Sequence, residues 1–119
     1  MITEIGKAFR KLRVDQDERL LDMAKRLKKS SAFLSAVEVG KKPPPLGIEE
    51  AVIAAYKITG QAAGLLRHAA DQSRKAFTLE PNTVLGKDTA GLLARKMNTL
   101  SDSDLKRIME ILNNSAEGK

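Results

Sequence analysis

The sequence of 119 residues contains no cysteine and no tryptophan, and it has only three phenylalanines and one tyrosine. The absence of cysteine excludes disulfide bonds, thiolate metal sites and thiol nucleophiles. Because aromatic residues are so few, alanine and leucine must do most of the packing, which favours helices over sheets. We therefore expect an all-α fold, built as one domain or as a small domain with an appendage.

The sequence also lacks the sets of residues that catalysis and membrane insertion require. Its only histidine, His68, stands three residues before Asp71, and without a second His or a Cys this pair is an incomplete metal site. No glycine-flanked nucleophile accompanies it, so hydrolytic catalysis is not expected. Neither a signal-peptide core nor a membrane-spanning run is present. These absences predict a cytoplasmic protein, bacterial or phage-encoded, that is not an enzyme, needs no cofactor and does not act at a membrane.

Capping residues and apolar spacing divide the chain into helices. The predicted helices are, in chain order, residues 3–13, 19–28, 31–39, 48–58, 60–75, 85–97 and 101–112. Successive prolines make residues 41–47 a stiff, non-helical connector. Residues 77–80 alternate as a strand does, which leaves two interpretations open: a short strand that pairs across a two-fold axis, or an extended connector. The tail from residue 113 to residue 119 is expected to fray.

Residues 19–40 are the most informative segment, because they are predicted to be two short helices joined by a tight polar turn. The first helix carries an apolar stripe at i, i+3, i+4 and i+7 spacing. Ser30 is suited to cap the second helix, and Gly40 is suited to end it. The outward face of the second helix is small and uncharged, and it consists of Ser31, Ala32, Ser35, Ala36 and Val39. Such a face suits a groove with base edges at its floor, so the segment predicts a helix-turn-helix with DNA as its partner.

The net charge of +6 is concentrated in the part of the chain that contains this segment. Residues 1–47 hold eleven Lys or Arg against six Asp or Glu, whereas residues 48–119 hold ten against nine. A basic excess of this kind is typical of a surface that meets a polyanion. Four lysines stand at the two ends of the second helix and are candidates for phosphate contacts: Lys28, Lys29, Lys41 and Lys42.

Residues 3–58 resemble the phage repressor/Cro-type helix-turn-helix domain, known as the XRE family. The residues that carry the resemblance are Gly6, Phe9–Arg13, Met23, Ala24, Leu27, Ser30, Leu34, Ser35 and Glu38–Gly40, followed by Ile48, Val52, Ile53 and Tyr56 in the closing helix. The resemblance implies a five-helix-type helix-turn-helix domain in residues 1–58. It also implies a helical C-terminal region in residues 59–119 for dimerisation or partner contact. The sequence departs from the family pattern in its proline-rich connector, at Lys28, where glycine is usual, and at Leu20, where a polar residue usually touches phosphate.

The resemblance further implies roles for single residues. The residues that resemble base-contacting positions are Ser31, Ala32 and Ser35, with Phe33 and Ala36 at the margins of that face. The residues assigned to the DNA backbone are Arg10, Arg19, Lys28, Lys29, Ser30, Lys41 and Lys42. Arg13 and Glu38 resemble a structural pair that ties the first helix to the end of the recognition helix.

Two features qualify this assignment of contacts. Phe33 has a second interpretation, in which its ring lies over the preceding helix as a core residue. The recognition face also lacks Arg, Asn and Gln, which make bidentate contacts to bases. Direct base reading is therefore expected to be modest, and DNA shape is expected to supply part of the specificity.

The C-terminal half has more apolar residues at helical spacing than a helix-turn-helix domain alone needs. It forms either a private core with the helix at residues 60–75 or the interface of a homodimer that reads two half-sites. The residues expected at the dimer interface are Leu92, Leu93, Met97, Leu105, Ile108, Met109 and Leu112. The predicted function is a sequence-specific transcriptional regulator: a homodimeric repressor that binds a palindromic operator in double-stranded DNA at a phage or mobile-element promoter. The alternative is an antitoxin-like module that captures a toxin or another small protein through this half and autoregulates its operon.

Overall fold

The computed structural model describes residues 2–115, and every regular element in that range is a helix. The helices are α1 (Glu4–Asp15), α2 (Leu20–Leu27), α3 (Ser31–Glu38), α4 (Ile48–Tyr56), α5 (Gly60–Gln72), α6 (Val84–Lys96) and α7 (Asp102–Asn113), with a 3-10 turn, Met97–Thr99, after α6. The prediction of an all-α fold is confirmed. None of these helices is long and apolar enough to cross a membrane.

Side-chain caps fix the starts of four helices. In each of them a hydroxyl oxygen accepts a hydrogen bond from a backbone N–H of the first turn, which has no partner within the helix. The pairs are Thr3 with Gly6 (3.1 Å), Ser30 with Phe33 (3.0 Å), Thr83 with Gly86 (2.9 Å) and Ser101 with Asp104 (3.1 Å). The local sequence therefore specifies where these helices begin.

The turn between α2 and α3 contains a left-handed residue that is not glycine. Lys28 ends α2 with φ 58° and ψ 42°. This conformation costs an L-residue about 1–2 kcal/mol relative to the right-handed one. Backbone hydrogen bonding supports the turn, because the N–H of Lys29 donates to the C=O of Ala24 at 3.0 Å. The turn therefore closes without a glycine at this position.

The first compact unit of the chain ends at Thr78 and contains α1 to α5. Its largest fully buried side chains are Phe9, Ile5, Met23, Leu34, Val37 and Val52. Leu66 and Ala70 of α5 belong to the same core, and α5 packs against α1 and α4. The structure therefore groups α5 with the first unit, whereas the sequence interpretation divided the chain after residue 58. The difference arises because the apolar face of α5 completes the core that α1 and α4 leave open.

The second compact unit begins at Leu79 and contains α6, the 3-10 turn and α7. None of its described residues, 79–115, is buried. The helix that the sequence offered as the partner for a private core is α5, and α5 buries Ala63, Leu66 and Ala70 within the first unit. Within α6 and α7, Leu93, Leu105 and Ile108 are partly buried, whereas six large apolar side chains remain exposed: Val84, Leu85, Leu92, Met109, Ile111 and Leu112.

The strand considered for residues 77–80 does not form in the single chain, and the backbone from residue 76 to residue 82 has no regular structure. Pro81 lacks an N–H donor, and no described segment provides a strand for pairing. In the single chain this segment is a connector. The predicted fraying of residues 113–119 falls partly outside the structure, because α7 ends at Asn113 and residues 116–119 lie outside the described residues.

Candidate DNA interface

The segment from α2 to α3 buries one side of each helix and leaves the other side to solvent. α2 buries Met23, Ala24 and Leu27, and α3 buries Leu34 and Val37. All five side chains belong to one apolar core, and only three residues connect the two helices. The outer face of α3 is therefore carried on a rigid support, as a surface that docks against another molecule requires.

The five residues predicted to contact bases all belong to α3, and they differ in exposure. Ala32 and Ser35 are exposed, whereas Ser31, Phe33 and Ala36 are partly buried. α3 contains a single charged residue, Glu38, which is buried on the opposite side of the helix. The most accessible groups of the face are therefore one methyl and one hydroxyl. A methyl can pack against the methyl of thymine, and a hydroxyl can make one hydrogen bond to a base edge.

Phe33 lies between the core and the outer surface of α3. Its ring packs against the core, yet the residue is only partly buried. The Nζ atom of Lys29 lies 5.7 Å from the ring centroid, and that of Lys42 lies 5.9 Å from it. Both distances are within the range of cation–π attraction. The ring therefore holds one ammonium group from each end of α3 at the margin of the recognition face.

Four exposed lysines, Lys28, Lys29, Lys41 and Lys42, stand at the two ends of α3. Within residues 2–115 none of them forms an ion pair with a carboxylate. The N–H groups of Lys41 and Lys42 both donate to the C=O of Ala36, at 2.8 and 3.2 Å, which folds the chain back onto the end of α3. The outer face of α3 is therefore bracketed by cations that have no carboxylate partner in the described part of the chain.

Arg10 and Arg19 differ from these lysines because each has a carboxylate partner. The Nε of Arg10 lies 3.4 Å from a carboxylate oxygen of Glu38. The backbone N–H of Arg19 donates to Asp22 at 2.9 Å and its Nε to the same oxygen at 3.4 Å. These bonds, the backbone one first, lower the pKa of Asp22. Both arginines are exposed and can meet a phosphate, but with part of their charge already compensated, so the four lysines are the stronger candidates.

A buried ion pair fixes α3 on α1. The two terminal nitrogens of Arg13 donate to the two carboxylate oxygens of Glu38, at 2.5 and 3.1 Å. The C=O of Glu38 accepts two further bonds from Thr3, one from its N–H at 2.9 Å and one from its hydroxyl at 3.1 Å. These contacts position the end of α3, and their burial keeps Arg13 and Glu38 away from a docked ligand.

Sequence reasoning missed a second buried cation, Arg74, which follows α5. Its guanidinium donates to both carboxylate oxygens of Glu49, at 2.7 and 3.1 Å. It also donates to the C=O of Pro44 at 2.9 Å and to that of Pro45 at 2.6 Å. Arg74 thus joins the end of α5, the start of α4 and the connector that follows Lys41 and Lys42. One terminal nitrogen also donates to Asp71, three residues earlier, at 3.3 Å. The other partners lie 25 to 30 residues earlier in the chain, so no local signal marks the burial of Arg74.

A third polar cluster joins the loop before α2 to the end of α4. Glu18 accepts hydrogen bonds from the Nε of Arg26 and from the hydroxyl of Tyr56, both at 2.7 Å. The guanidinium of Arg26 also lies over the Tyr56 ring, 4.4 Å from its centroid. The bond from Arg26, followed by that from Tyr56, lowers the pKa of Glu18. Burial, followed by the bond to Glu18, raises the pKa of Tyr56. The cluster holds α2, and with it the turn to α3, against α4.

Acid is expected to unfold the first unit. Arg26 lowers the pKa of Glu18. The pKa of Glu49 is also lowered: burial acts to raise it, but the hydrogen bonds from Arg74 and from the backbone outweigh that effect. A carboxylate with a depressed pKa stabilises the fold above the unfolded-state pKa, about 4.3, and this stabilisation is lost as pH falls through the lower folded-state pKa. We expect the melting temperature, followed by circular dichroism, to be flat from pH 7 to about pH 5 and to drop below about pH 4.3. Glu49→Gln should lower the melting temperature at pH 7 and make its decrease in acid shallower. An equally steep decrease would contradict the stabilising role of the Glu49 carboxylate.

Comparisons with family models, with curated proteins and with solved structures found no match to this chain. The structure gathers the predicted base-contacting residues and the four lysines around α3, and it places Arg13 and Glu38 beneath them. The predicted interface residues of α6 and α7 lie in the second unit, where none of the described residues is buried.

Proposed function

We propose that this protein is a sequence-specific, DNA-binding transcriptional regulator of the XRE type, and that it acts as a homodimeric repressor at a phage or mobile-element promoter. The observation that carries the proposal is the surface of α3. A small, uncharged face lies on a helix supported by the core, and lysines without carboxylate partners in the described residues stand at both of its ends. A B-DNA major groove presents the complementary features, with base edges at its floor and phosphates along both walls.

In the proposed complex, α3 enters the major groove with Ala32 and Ser35 at its centre. Ser31 lies at the start of the helix, and Phe33 and Ala36 lie at the margins of the face. A helix of about 10–12 Å diameter fits a groove of about 12 Å width. Single hydroxyl and methyl contacts distinguish bases only modestly, so sequence-dependent shape of the DNA supplies part of the specificity.

Phosphate contacts are proposed to supply most of the affinity. Residues 1–78 hold fifteen Lys or Arg against nine Asp or Glu, so the excess of positive charge belongs to the unit that contains α3. Lys28 and Lys29 are proposed to contact the backbone at the start of α3, and Lys41 and Lys42 at its end. Each such contact releases a condensed counterion and adds about −0.9 to the slope of log K against log salt concentration.

One α3 helix with so small a face reads too few base pairs for a specific operator. Dimerisation through the second unit is proposed to bring two α3 helices to half-sites about 34 Å apart, one turn of B-DNA. The residues proposed at the interface are the apolar residues that recur at helical spacing in this unit: Leu92, Leu93, Met97, Leu105, Ile108, Met109 and Leu112. The operator is then a palindrome, since a two-fold symmetric dimer reads the same half-site twice.

The test is a variant in which Lys28, Lys29, Lys41 and Lys42 are all replaced by alanine. Binding to a mixed-sequence 30-bp duplex, measured by fluorescence anisotropy between about 50 and 200 mM salt, should weaken by tenfold or more, and the salt slope should fall by about 3–4. The matched control replaces Lys57, Lys87, Lys96 and Lys106 by alanine, which removes the same net charge from other elements of the chain. We expect this control to bind with nearly the wild-type slope.

Equal slopes for the lysine variant and the wild-type protein would overturn the docking of α3. Specificity requires a separate measurement, in which wild-type protein selects sequences from a random DNA pool. We expect an enriched inverted repeat. A pool that stays random after repeated selection would overturn sequence-specific regulation and leave only non-specific attraction to a polyanion.

The second candidate function is an antitoxin-like module that captures a small protein and represses its own operon. The observation that favours it is the uncovered apolar surface of α6 and α7, which could receive a different chain instead of a second copy. A co-transcribed neighbouring reading frame of similar size would favour this candidate. A divergent promoter that carries an inverted repeat would favour the self-contained repressor.

A further inference from the structure

We infer that α6 and α7 fold only together with α6 and α7 of a second copy, so that the second unit is a four-helix bundle assembled from two chains. This inference deepens the homodimer of the proposed function and rests on it for its regulatory consequence. The self-association itself requires no DNA. Its basis is the amount of uncovered apolar surface in the second unit, the small size of that unit and its charge balance.

α7 is apolar over nearly half of its circumference, and α6 is apolar over a narrower arc. At 100° per residue, the apolar side chains of α7 cover an arc of about 160°. They are Leu105, Ile108, Met109, Ile111 and Leu112, and the last three are 59%, 70% and 69% exposed. On α6 the side chains of Leu85, Leu92 and Leu93 share an arc of about 100°. Two helices of one chain can cover only part of each other, whereas an arc as wide as that of α7 is typical of a helix that packs against neighbours on two sides.

The second unit is too small to be stable with this surface exposed. It contains 41 residues, and chains near that length usually need a disulfide, a metal ion or oligomerisation to fold. Residues 79–119 contain neither cysteine nor histidine, which removes the disulfide and the common nitrogen and sulfur metal ligands. α6 also contains Gly86 and Gly91, which weaken a helix that has no packing to support it. Oligomerisation is the route that remains.

The charge of the second unit favours a second copy over a charged partner. Residues 79–119 hold six Lys or Arg and six Asp or Glu, whereas the whole net charge of +6 belongs to residues 1–78. Two copies of the first unit repel each other, but two copies of the second do not. Three charged residues of α7, Lys106, Arg107 and Glu110, lie on the side opposite its apolar arc, and Lys106 and Glu110 stand four residues apart. Asp104 lies within the arc, in the first turn of the helix, and pairs with Arg107. Met109 and Leu112, at the other edge of the arc, can therefore meet a second copy without burying a charge.

Coupling between folding and association makes operator binding depend steeply on protein concentration. A chain at low concentration has its α3 helix ready but has no folded bundle to hold a second α3 beside it. The two half-sites are then bound only when the concentration is high enough to form the bundle. The level of the protein thus sets the onset of repression without any small-molecule signal.

The test uses the full chain without DNA, by sedimentation equilibrium together with circular dichroism at 222 nm. At about 50 µM we expect twice the monomer mass of 13.0 kDa. α6 and α7 hold 25 of the 75 α-helical residues, so the double variant Leu105→Asp, Ile108→Asp should be a monomer that has lost about one third of the helical signal. Its first unit should still melt cooperatively, which separates loss of pairing from failure to fold.

Leu65→Asp is the control, because Leu65 is an apolar side chain of α5 in the first unit and is 63% exposed. We expect this control to remain a dimer with full helical signal. A wild-type monomer with full helicity at 50 µM, or a dimer that Leu65→Asp dissociates, would overturn the inference. A monomeric Leu105→Asp, Ile108→Asp variant that keeps its helical signal would overturn the coupling of folding to association. None of these outcomes depends on the lysines of α3, so the DNA-binding proposal stands or falls separately.

Discussion

Replacing Arg74 by methionine is expected to destabilise the first unit by about 3–5 kcal/mol, the cost of breaking a buried ion pair by removing one partner. The side chain of Arg74 is 4% exposed and that of Glu49 is 10% exposed, so the carboxylate would stay buried with no cation beside it. Methionine fills a similar volume, which limits the contribution of an empty cavity. The carbonyls of Pro44 and Pro45 would also lose their donor. Urea unfolding followed by circular dichroism measures the loss.

Two further variants isolate the reason for this loss. Arg67→Met removes an arginine that pairs with another glutamate of α4, Glu50, but both of these side chains are about half exposed. This variant should change the urea midpoint of unfolding little, because exposed ion pairs contribute little to stability. The double variant Arg74→Met, Glu49→Leu should be more stable than Arg74→Met alone, since it no longer buries an unpaired charge. A double variant less stable than the single one would mean that the proline carbonyls, and not Glu49, are the main partners of Arg74.

Replacing Gly6 by alanine is expected to cost the first unit about 3 kcal/mol, the upper range for forcing an extra carbon into a packed core. A Cβ atom at this position would lie 2.3 Å from the carbonyl oxygen of Glu38 and 2.9 Å from its Cα. These are backbone atoms, so α1 and the end of α3 would have to separate. The same carbonyl accepts both hydrogen bonds from Thr3. We therefore expect weaker DNA binding as well, because α3, with Lys41 and Lys42 bonded to it, would be displaced relative to Arg10 of α1.

Gly64→Ala is the control for this prediction and should act in the opposite direction. Gly64 lies inside α5, and a Cβ added there meets nothing within 4 Å. Alanine in a helix interior is more stable than glycine by about 0.5–1 kcal/mol, so this variant should unfold at a slightly higher urea concentration. If both glycine variants shifted the midpoint in the same direction, the close approach of α1 to α3 would not be the cause.

Much of the first unit could be predicted from the sequence because its determinants are local. The apolar stripe of α2, the cap at Ser30 and the left-handed Gly40 are all read within one or two turns of helix. They fix where α2 and α3 begin and end. The exposed face of α3 follows from the same periodicity. Leu34 and Val37 point into the core, so residues on the other side of the helix, such as Ala32 and Ser35, remain exposed.

Other features depend on contacts that local patterns do not encode. The carboxylate of Glu49 and the guanidinium of Arg74 meet only after α4 and α5 have packed, so neither residue stands out in the sequence. For the same reason the boundary between the units fell at residue 58 in the sequence interpretation and at Thr78 in the structure. Alternation in residues 77–80 resembled a strand, but a strand needs a partner, and the described chain provides none.

The hydrogen bonds that Lys41 and Lys42 donate to Ala36 have a consequence for the thermodynamics of binding. Ordering the backbone of a flexible residue costs about 1–2 kcal/mol of conformational entropy, and immobilising a lysine side chain costs up to about 2 kcal/mol more. The backbone part of this cost is already met during folding, because both N–H groups are held on α3 before any ligand arrives. A polyanion that meets these two residues has only their side chains left to order, so the pair is preorganised for binding in a way that lysines on a disordered tail are not.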